Sequence, residues 1–462
     1  MLRPYQIAQV VELRRNIQAG LNSQLAVAPT GSGKTVLSAH MLKESSAAGY
    51  SSVFMVHRIE LIEQSIRAFK SHGVTFGVCA NGFVGETKFP VQIASVQTLV
   101  RRLSLYKQPD MLVVDEAHHQ LAKSYGLIRQ VWSKAHLIGL TATPERLDGK
   151  GLGSAFQRLV LGPTVASLIR DGYLSKYRLF APGGVSVDGV KVVAGDYARG
   201  QLSKAADKPT ITGDAIAHYT RLCLGKRAVV FAVSIEHSKH IAAQFNAAGI
   251  PAAHVDGETP VEERRGAVSE FIAGRVMVLV NVDLFGEGFD VPAIEAVIML
   301  RPTQSLSLYL QMCGRALRPM PGKDTAIILD HAGNVQRHGF PDDEREWSLE
   351  GRVRSKPSVG GSVASVRVCP RCFAAQPPTG ICRFCGQLFP VAPREIEEAA
   401  GELVEVKPVR VKRTPDETRA LKNEQGSART LDDLIALAKS RGYKSPVFWA
   451  RKILTARGGH GR

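Results

Sequence analysis

No apolar run in this 462-residue chain approaches the length of a membrane-spanning helix, so a helical membrane protein is excluded. The opening Met-Leu-Arg-Pro-Tyr-Gln lacks the hydrophobic stretch of a secretory leader. Cysteine is scarce: seven residues in a chain this long do not make a disulfide scaffold. No sequence repeat is present. These absences together point to a soluble protein of the cytoplasm (intracellular), with no membrane contact. Acidic residues are also outnumbered. Against 59 Lys and Arg stand 42 Asp and Glu, a net charge of +17 that suits a polyanionic partner, although solubility alone can use such charge. Apolar residues make up 44% of the chain, enough for cored domains, and the length suggests about three of them.

What the chain does carry begins at Ala28-Pro29-Thr30-Gly31-Ser32-Gly33-Lys34-Thr35. The string follows an apolar run, Leu25-Ala26-Val27, and precedes a helical pattern through Val36, Leu37, His40 and Met41. Strand, tight loop and helix are the setting of a phosphate-binding loop. Gly31 and Gly33 let backbone N–H groups turn toward phosphate oxygens, where a side chain would block the approach. Lys34 brings a point charge to the outer phosphates of a nucleoside triphosphate, and Thr35 a hydroxyl for Mg²⁺. Ala28 stands where the usual pattern opens with glycine.

A second polar string, Asp115-Glu116-Ala117-His118, closes the apolar strand Met111 to Val114. Asp115 is placed to hold Mg²⁺, and Glu116 to orient and deprotonate an attacking water. The competing reading is a solvated carboxylate pair at a helix start; it leaves the preceding apolar strand unexplained. A third strand, Leu137 to Leu140, runs into Thr141-Ala142-Thr143-Pro144. Ligands gather at the carboxyl ends of parallel strands, so three polar clusters at three such ends form one site.

Residues 1 to about 176 alternate short apolar strands (Ser52 to Val56, Val91 to Ala94) with amphipathic helices such as Glu60 to Ser71, the pattern of a parallel sheet covered on both faces. Gly183-Gly184, Gly189 and Gly195 interrupt it, and 177–209 reads as a connector or small hairpin. The alternation restarts over 210–345, with strands at 228–232, 252–255, 276–280, 296–300 and 326–329 and helices at 237–248, 261–273 and 305–317. A Gly- and Ser-rich linker lies within 346–368. Cys369-Pro-Arg-Cys372 and Cys382-Arg-Phe-Cys385 follow, at a spacing that fits four thiolates around tetrahedral zinc. Four protein ligands leave no open position, so this zinc is structural; two disulfides are the alternative, disfavoured in a reducing compartment. Cys79, Cys223 and Cys313 are scattered and read as small buried hydrophobes. Residues 391–462 form a basic tail with helical patterns at 430–440 and 446–457. Its Lys and Arg at 407–413 and 439–457 suit phosphate contacts or a solvated face.

The order of these motifs resembles superfamily 2 helicases and translocases, particularly the DEAH-containing group of restriction-enzyme motor subunits and phage DNA helicases. The resemblance covers about residues 2–345 and implies two RecA-like domains, 1–176 and 210–345, with Mg²⁺-ATP between them. In that frame Arg3-Pro4-Tyr5-Gln6 is the adenine-reading element, Gln6 bonding the base edge and Tyr5 packing nearby. Val56-His57-Arg58, Ala94-Ser95-Val96-Gln97-Thr98 and His254-Val255-Asp256-Gly257 occupy the places of strand-contacting motifs. Glu287-Gly288-Phe289-Asp290 matches the element linking nucleotide to nucleic acid, with Gly288 and Asp290 on the nucleotide side. Gln311, Gly314, Arg315 and Arg318 match the arginine-finger motif. Residues 315 and 318 are one helical turn apart, so both guanidiniums face one target. His118 would couple ATP to strand contacts. Met312 and Leu317 stand where some DEAH relatives carry Arg and Gly, which leans toward the DNA-translocase side.

The fold expected is therefore α/β: two RecA-like parallel-sheet domains, a small zinc ribbon at 369–390, and a helical tail. The function expected is an ATP-dependent nucleic-acid motor, a DNA helicase or duplex translocase. An RNA helicase and a nucleotide-switched clamp that neither steps nor unwinds are the alternatives. The ribbon would serve as a docking point for replication, recombination or repair proteins, and nucleic acid would cross both domains on the face away from the strand-end ATP rim.

Overall fold

The computed structural model describes residues 2–83, 85–119, 123–146, 149–181, 192–193, 196–197, 209–282, 284, 293–351, 367–369, 371–372, 374–377, 379–389, 424, 428, 430–441, 446–447, 449–450 and 453–454. Seven parallel strands make the first sheet: β1 (Ser23–Val27), β2 (Ser52–Val56), β3 (Gly77–Cys79), β4 (Val91–Ser95), β5 (Met111–Val114), β6 (His136–Thr141) and β7 (Arg158–Leu161). Their order is β3-β4-β2-β5-β6-β1-β7. β1, β2 and β4 are buried along their whole length, as strands covered on both faces must be. Side chains alternate between two cores. Val113 and Ile138 face α1 (Pro4–Gln18), α2 (Lys34–Ala47) and α3 (Ile59–Ser71). Leu112, Val114 and Leu137 face α4 (Val96–Arg102) and α5 (Lys123–Val131), where Trp132 and Phe156 fill the layer. Burying side chains of this size contributes about 1.5–3 kcal/mol each, so a charge at Val113 would unfold the lobe.

After α6 (Val165–Arg170) the chain enters the second sheet at once. β8 (Lys176–Phe180) pairs in parallel with a strand near the end of that lobe and forms its edge, inside the stretch read as a connector. The hairpin part of that reading corresponds to β9 (Val192–Val193) and β10 (Asp196–Tyr197), which pair antiparallel. Then come α7 (Pro209–Cys223), β11 (Ala228–Phe231), α8 (Ile235–Ala247), β12 (Ala252–Val255), α9 (Val261–Ile272), β13 (Val278–Asn281), β14 (Ala296–Met299), α10 (Leu306–Leu317), β15 (Thr325–Asp330) and α11 (Asn334–His338). The order β12-β13-β11-β14-β15-β8 is parallel throughout. Cores again lie on both faces, Val229 and Phe231 on one, Ala228 and Val230 on the other.

The cysteine-bearing segment covers the open edge of this sheet. β16 (Arg367–Val368) pairs antiparallel with β17 (Ala375–Gln376), and Ala374 bridges Phe180 of β8. Ala374 and Ala375 join the cores on opposite faces of the second sheet. An uncovered edge strand presents unpaired N–H and C=O groups, and the segment removes part of that edge. In residues 392–462, which form a separate unit, α12 (Leu431–Ser440) starts with a reciprocal cap between Thr430 and Asp433. Residues 407–413 lie outside the described residues.

Candidate active site between two parallel-sheet lobes

The loop after β1 is built as phosphate binding requires. Gly31 and Gly33 have φ of 87° and 85°, in the left-handed region open to glycine, and Gly33 starts α2. Pro29 O accepts from Ser32 N at 3.1 Å, closing the turn. Lys34 is the first residue of α2 and Thr35 the second, both at the end of the helix where anions are favoured. The Lys34 ammonium donates to Ala28 O at 3.1 Å. Burial pushes its pKa below the ordinary value, against the pull of Glu116 and Asp115.

Tyr5 and Gln6 hold this loop from outside. The Tyr5 hydroxyl donates to Ser32 O at 2.7 Å, and Gln6 Nε2 to Ser32 O and Gly33 O at 3.2 and 3.1 Å. Gln6 Oε1 accepts from Arg3 N at 2.9 Å, capping α1. Tyr173, unremarked in the sequence, packs edge-on to Tyr5 with ring centroids 5.3 Å apart and lies under the Arg3 guanidinium.

Asp115 and Glu116 follow the carboxyl end of β5, near enough to the loop for both to act on Lys34. Burial, and then the neighbouring Glu116, push the Asp115 carboxyl up to about 6, with Lys34 pulling it back. A bound cation would relieve that burial, which is the fit expected of a Mg²⁺ site shared with Thr35. Glu116 has φ of 48°, a strained conformation for a side-chain-bearing residue of the kind that collects at functional sites. Its Oε2 is buried without a hydrogen bond among the described residues, and His118 Nδ1 stands 3.5 Å away. A carboxyl oxygen without a hydrogen bond among the described residues, beside a phosphate loop, is suited to accept from water.

The second lobe completes the site through α10. Gly314 lies so close to the loop that a Cβ there would come within 2.6 Å of the Thr30 side chain. A Cβ on Gly31 would meet Leu174 at 2.9 Å and the Arg318 methylenes at 3.4 Å. Arg315 and Arg318 both bear electrostatically on Lys34, and burial brings the Arg318 guanidinium down to about 10. Gln311 is 1% exposed, yet neither polar atom of its amide has a partner among the described residues. Buried polar groups are ordinarily satisfied, so this amide marks space for a ligand or its water. Gly288 and Asp290 lie outside the described residues.

The lobes are also joined by a hydrogen bond. Thr143 Oγ1 donates to Ser307 Oγ at 2.7 Å, and Thr141 Oγ1 donates to Thr143 O at 2.7 Å. Thr141 Oγ1 is 3.4 Å from His118 Nδ1, so a run of contacts leads from Glu116 to α10. The partner of Thr143 is 164 residues away in the chain. Ser307 carried no signal of its own.

The order of the site residues and the two matched segments decide the family. Residues 1–146 match the type III restriction enzyme res-subunit family, and residues 214–320 match the helicase conserved C-terminal domain. The chain is a superfamily 2 helicase of the restriction-subunit-like type. The helicase is 35% identical over 390 residues to a 51.5 kDa protein of a Lactococcus phage, covering 83% of each chain. It is 29% identical to "Putative ATP-dependent helicase IRC3" of Saccharomyces cerevisiae over 72% of this chain, and spans only 52% of that relative. It is 26% identical to the DNA 3'-5' translocase XPB2 of Sulfurisphaera tokodaii, covering 71% of this chain and 80% of the relative. In fold it is similar to a fragment of a "putative HsdR subunit" of a type I restriction enzyme from Vibrio vulnificus, with a TM-score of 0.59 at 22% identity, over 74% of this chain and 66% of the other. The helicase is thus an ATP-dependent enzyme acting on nucleic acid, and ATP with Mg²⁺ is its nucleotide.

Two further expectations meet the structure here. Of the segments expected to contact the polynucleotide, two follow the carboxyl ends of β2 and β4, the end of the first sheet from which the phosphate loop leaves β1, and the third follows β12 of the second sheet. β2 lies three strands from β1 and β4 four, roughly 14 and 19 Å along the sheet at about 4.8 Å per strand. There Gln97 Nε2 donates to His57 O at 3.0 Å, and Asp256 accepts from His254, Thr259 and the Glu258 N–H. The four clustered cysteines place their Sγ atoms within 4.8 Å of one another, with Cys369–Cys385 and Cys372–Cys382 both at 3.6 Å. Four sulfurs about 2.3 Å from a central ion would be about 3.8 Å apart, so the cluster fits tetrahedral zinc. None of the described helices is long and apolar enough to cross a membrane.

Proposed function

We propose that this helicase is a DNA motor, a helicase or duplex translocase, that couples closure of its two lobes around Mg²⁺-ATP to movement. The observation that carries the reading is the seating of α10 on the phosphate loop, Gly314 against Thr30 and Arg318 over Gly31. The Pro29–Gly33 turn cradles the phosphates, Lys34 takes the outer ones, and Thr35 and Asp115 hold Mg²⁺, which neutralises charge developing on the phosphate oxygens. Glu116 accepts the proton of the attacking water, and Arg315 and Arg318 stabilise the transferring phosphoryl group. The Gln311 amide orients that water or a phosphate oxygen. Gln6 reads adenine by giving up one bond to the loop, so base recognition changes the loop it holds. Gly288 and Asp290 carry the nucleotide state toward the polynucleotide.

DNA is preferred over RNA because a relative that covers most of both chains is a DNA 3'-5' translocase by name. The four thiols support one structural zinc, and reduced thiols suit a cytoplasmic location. Ile381, Phe384 and Leu388 are exposed on the ribbon, a surface suited to docking a replication, recombination or repair protein. ATPase rate against single- and double-stranded DNA and RNA at one salt concentration tests the assignment. Duplex DNA should stimulate most; stimulation by RNA alone would make this an RNA enzyme, and stimulation without strand or triplex displacement would make it a clamp.

A further inference from the structure

The end of α10 is held by a residue outside every motif. The helix stops at Leu317, and Arg318 has extended backbone, φ −63° and ψ 128°. A helix end leaves its last carbonyls without intrahelical partners. Here Leu317 O accepts from Ser175 N at 2.8 Å. Ala316 O and Arg318 O both accept from the Lys323 ammonium, the first at 2.6 Å. The third N–H of that ammonium goes to Ile294 O at 3.1 Å. All three donors of Lys323 are thus spent on main-chain oxygens, and the residue is 8% exposed.

The third acceptor is informative. Ile294 follows Ala293, whose φ of 77° lies in the left-handed region that alanine avoids. Just before them in sequence is Glu287-Gly288-Phe289-Asp290. One buried ammonium therefore clamps the peptide next to a strained residue, a few positions after the 287–290 motif in sequence, to the helix end that carries the arginines. An ordinary helix cap would need neither the burial nor the third carbonyl.

We propose that Lys323 is a positioning residue for ATP hydrolysis: by tying Ala316 O and Arg318 O to Ile294 O it fixes the backbone from which the Arg318 side chain crosses Gly31. The inference rests on the reading of Arg318 as a transition-state contact. Removing the ammonium frees the Arg318 backbone to rotate, and the guanidinium then spends less time over the loop. Ground-state binding of ATP, which depends on the loop, Lys34 and Tyr5, is left in place. Turnover falls while affinity holds.

The test is a double-mutant cycle on the full chain, with ATPase measured at saturating DNA and below the melting temperature of every variant. Lys323→Met keeps the reach of the side chain and removes its donors. Alone it should lower kcat about ten- to a hundredfold with KM for ATP changed less than about threefold. In an Arg318→Ala background the same change should alter kcat less than about twofold, because the group it positions is gone. If Lys323→Met does not fold, Lys323→Gln, which removes the charge and one of the three donors, enters the same cycle and must show the same dependence on Arg318. Losses that multiply in the double variant, or a lowered melting temperature with unchanged kcat, overturn the proposal. If Arg318→Ala alone turns over at the full rate, the arginine reading fails instead.

Discussion

Replacing Thr143 by valine keeps the shape of the side chain and removes the one hydroxyl that donates across the cleft to Ser307. Both residues are buried, at 1% and 0% exposure, so water does not replace the lost partner. A buried hydroxyl left without its partner costs about 1–3 kcal/mol. The Ser307 hydroxyl can turn onto a carbonyl of its own helix, which brings the figure to the lower end, about 1 kcal/mol. The bond exists only where the lobes touch, so the cost falls on the closed state and shifts the opening equilibrium about fivefold. Steady-state ATPase should then show a fall of about fivefold in kcat at saturating DNA, with nucleotide affinity measured separately by a fluorescent ATP analogue nearly unchanged. Ser307→Ala should do the same, and the double variant should lose no more than either alone, a coupling of about 1 kcal/mol. Additive losses in the cycle, or a loss confined to ATP affinity, would refute the assignment of this hydrogen bond to lobe closure.

Glu116→Gln should bind ATP and fail to hydrolyse it, whereas Lys34→Ala should lose both abilities; normal turnover in Glu116→Gln would require another base. Arg315→Ala and Arg318→Ala should each lower kcat at least tenfold with little change in nucleotide affinity, and equal losses in both quantities would mean ordinary ground-state binding. The Asp115 carboxyl holds its proton more tightly folded, at about 6, than its ordinary value of 3.8. Its contribution to stability is therefore full below about pH 4 and lost as pH rises through 6. Asp115→Asn should stabilise the fold at pH 7.5 without nucleotide by at most about 3 kcal/mol, seen as a higher melting temperature, and flatten the profile between pH 4 and 6; identical profiles would contradict the burial argument. Metal analysis should find one zinc per chain, and Cys369→Ser should lower the melting temperature because Ala374 and Ala375 lie in the cores of the second lobe; zinc absent with all four thiols alkylated would remove the ribbon.

Much of this protein is local in origin, and what is local was legible. A phosphate loop needs consecutive backbone N–H groups and glycines at set positions, so Gly31, Gly33 and Lys34 announce it without knowledge of the rest of the chain. Two sheets follow from apolar runs of strand length alternating with helical periodicity, since strands buried on both faces have no polar alternation to confuse. Four cysteines in two knuckles carry their own geometry. Tertiary structure decided what depends on partners far along the chain. Three of the five residues of β8 are exposed or partly exposed, and it became an edge strand only because β15 offered it a ladder. The ribbon reads as a separate module, yet Ala374 is an ordinary alanine until Phe180 and the second sheet surround it. Ser307 and Lys323 have no motif, because their roles consist of one hydrogen bond or three to atoms that only folding brings within reach. Local chemistry is written in residue type and spacing; the coupling of two lobes is written in distances between residues that the chain keeps well over a hundred positions apart.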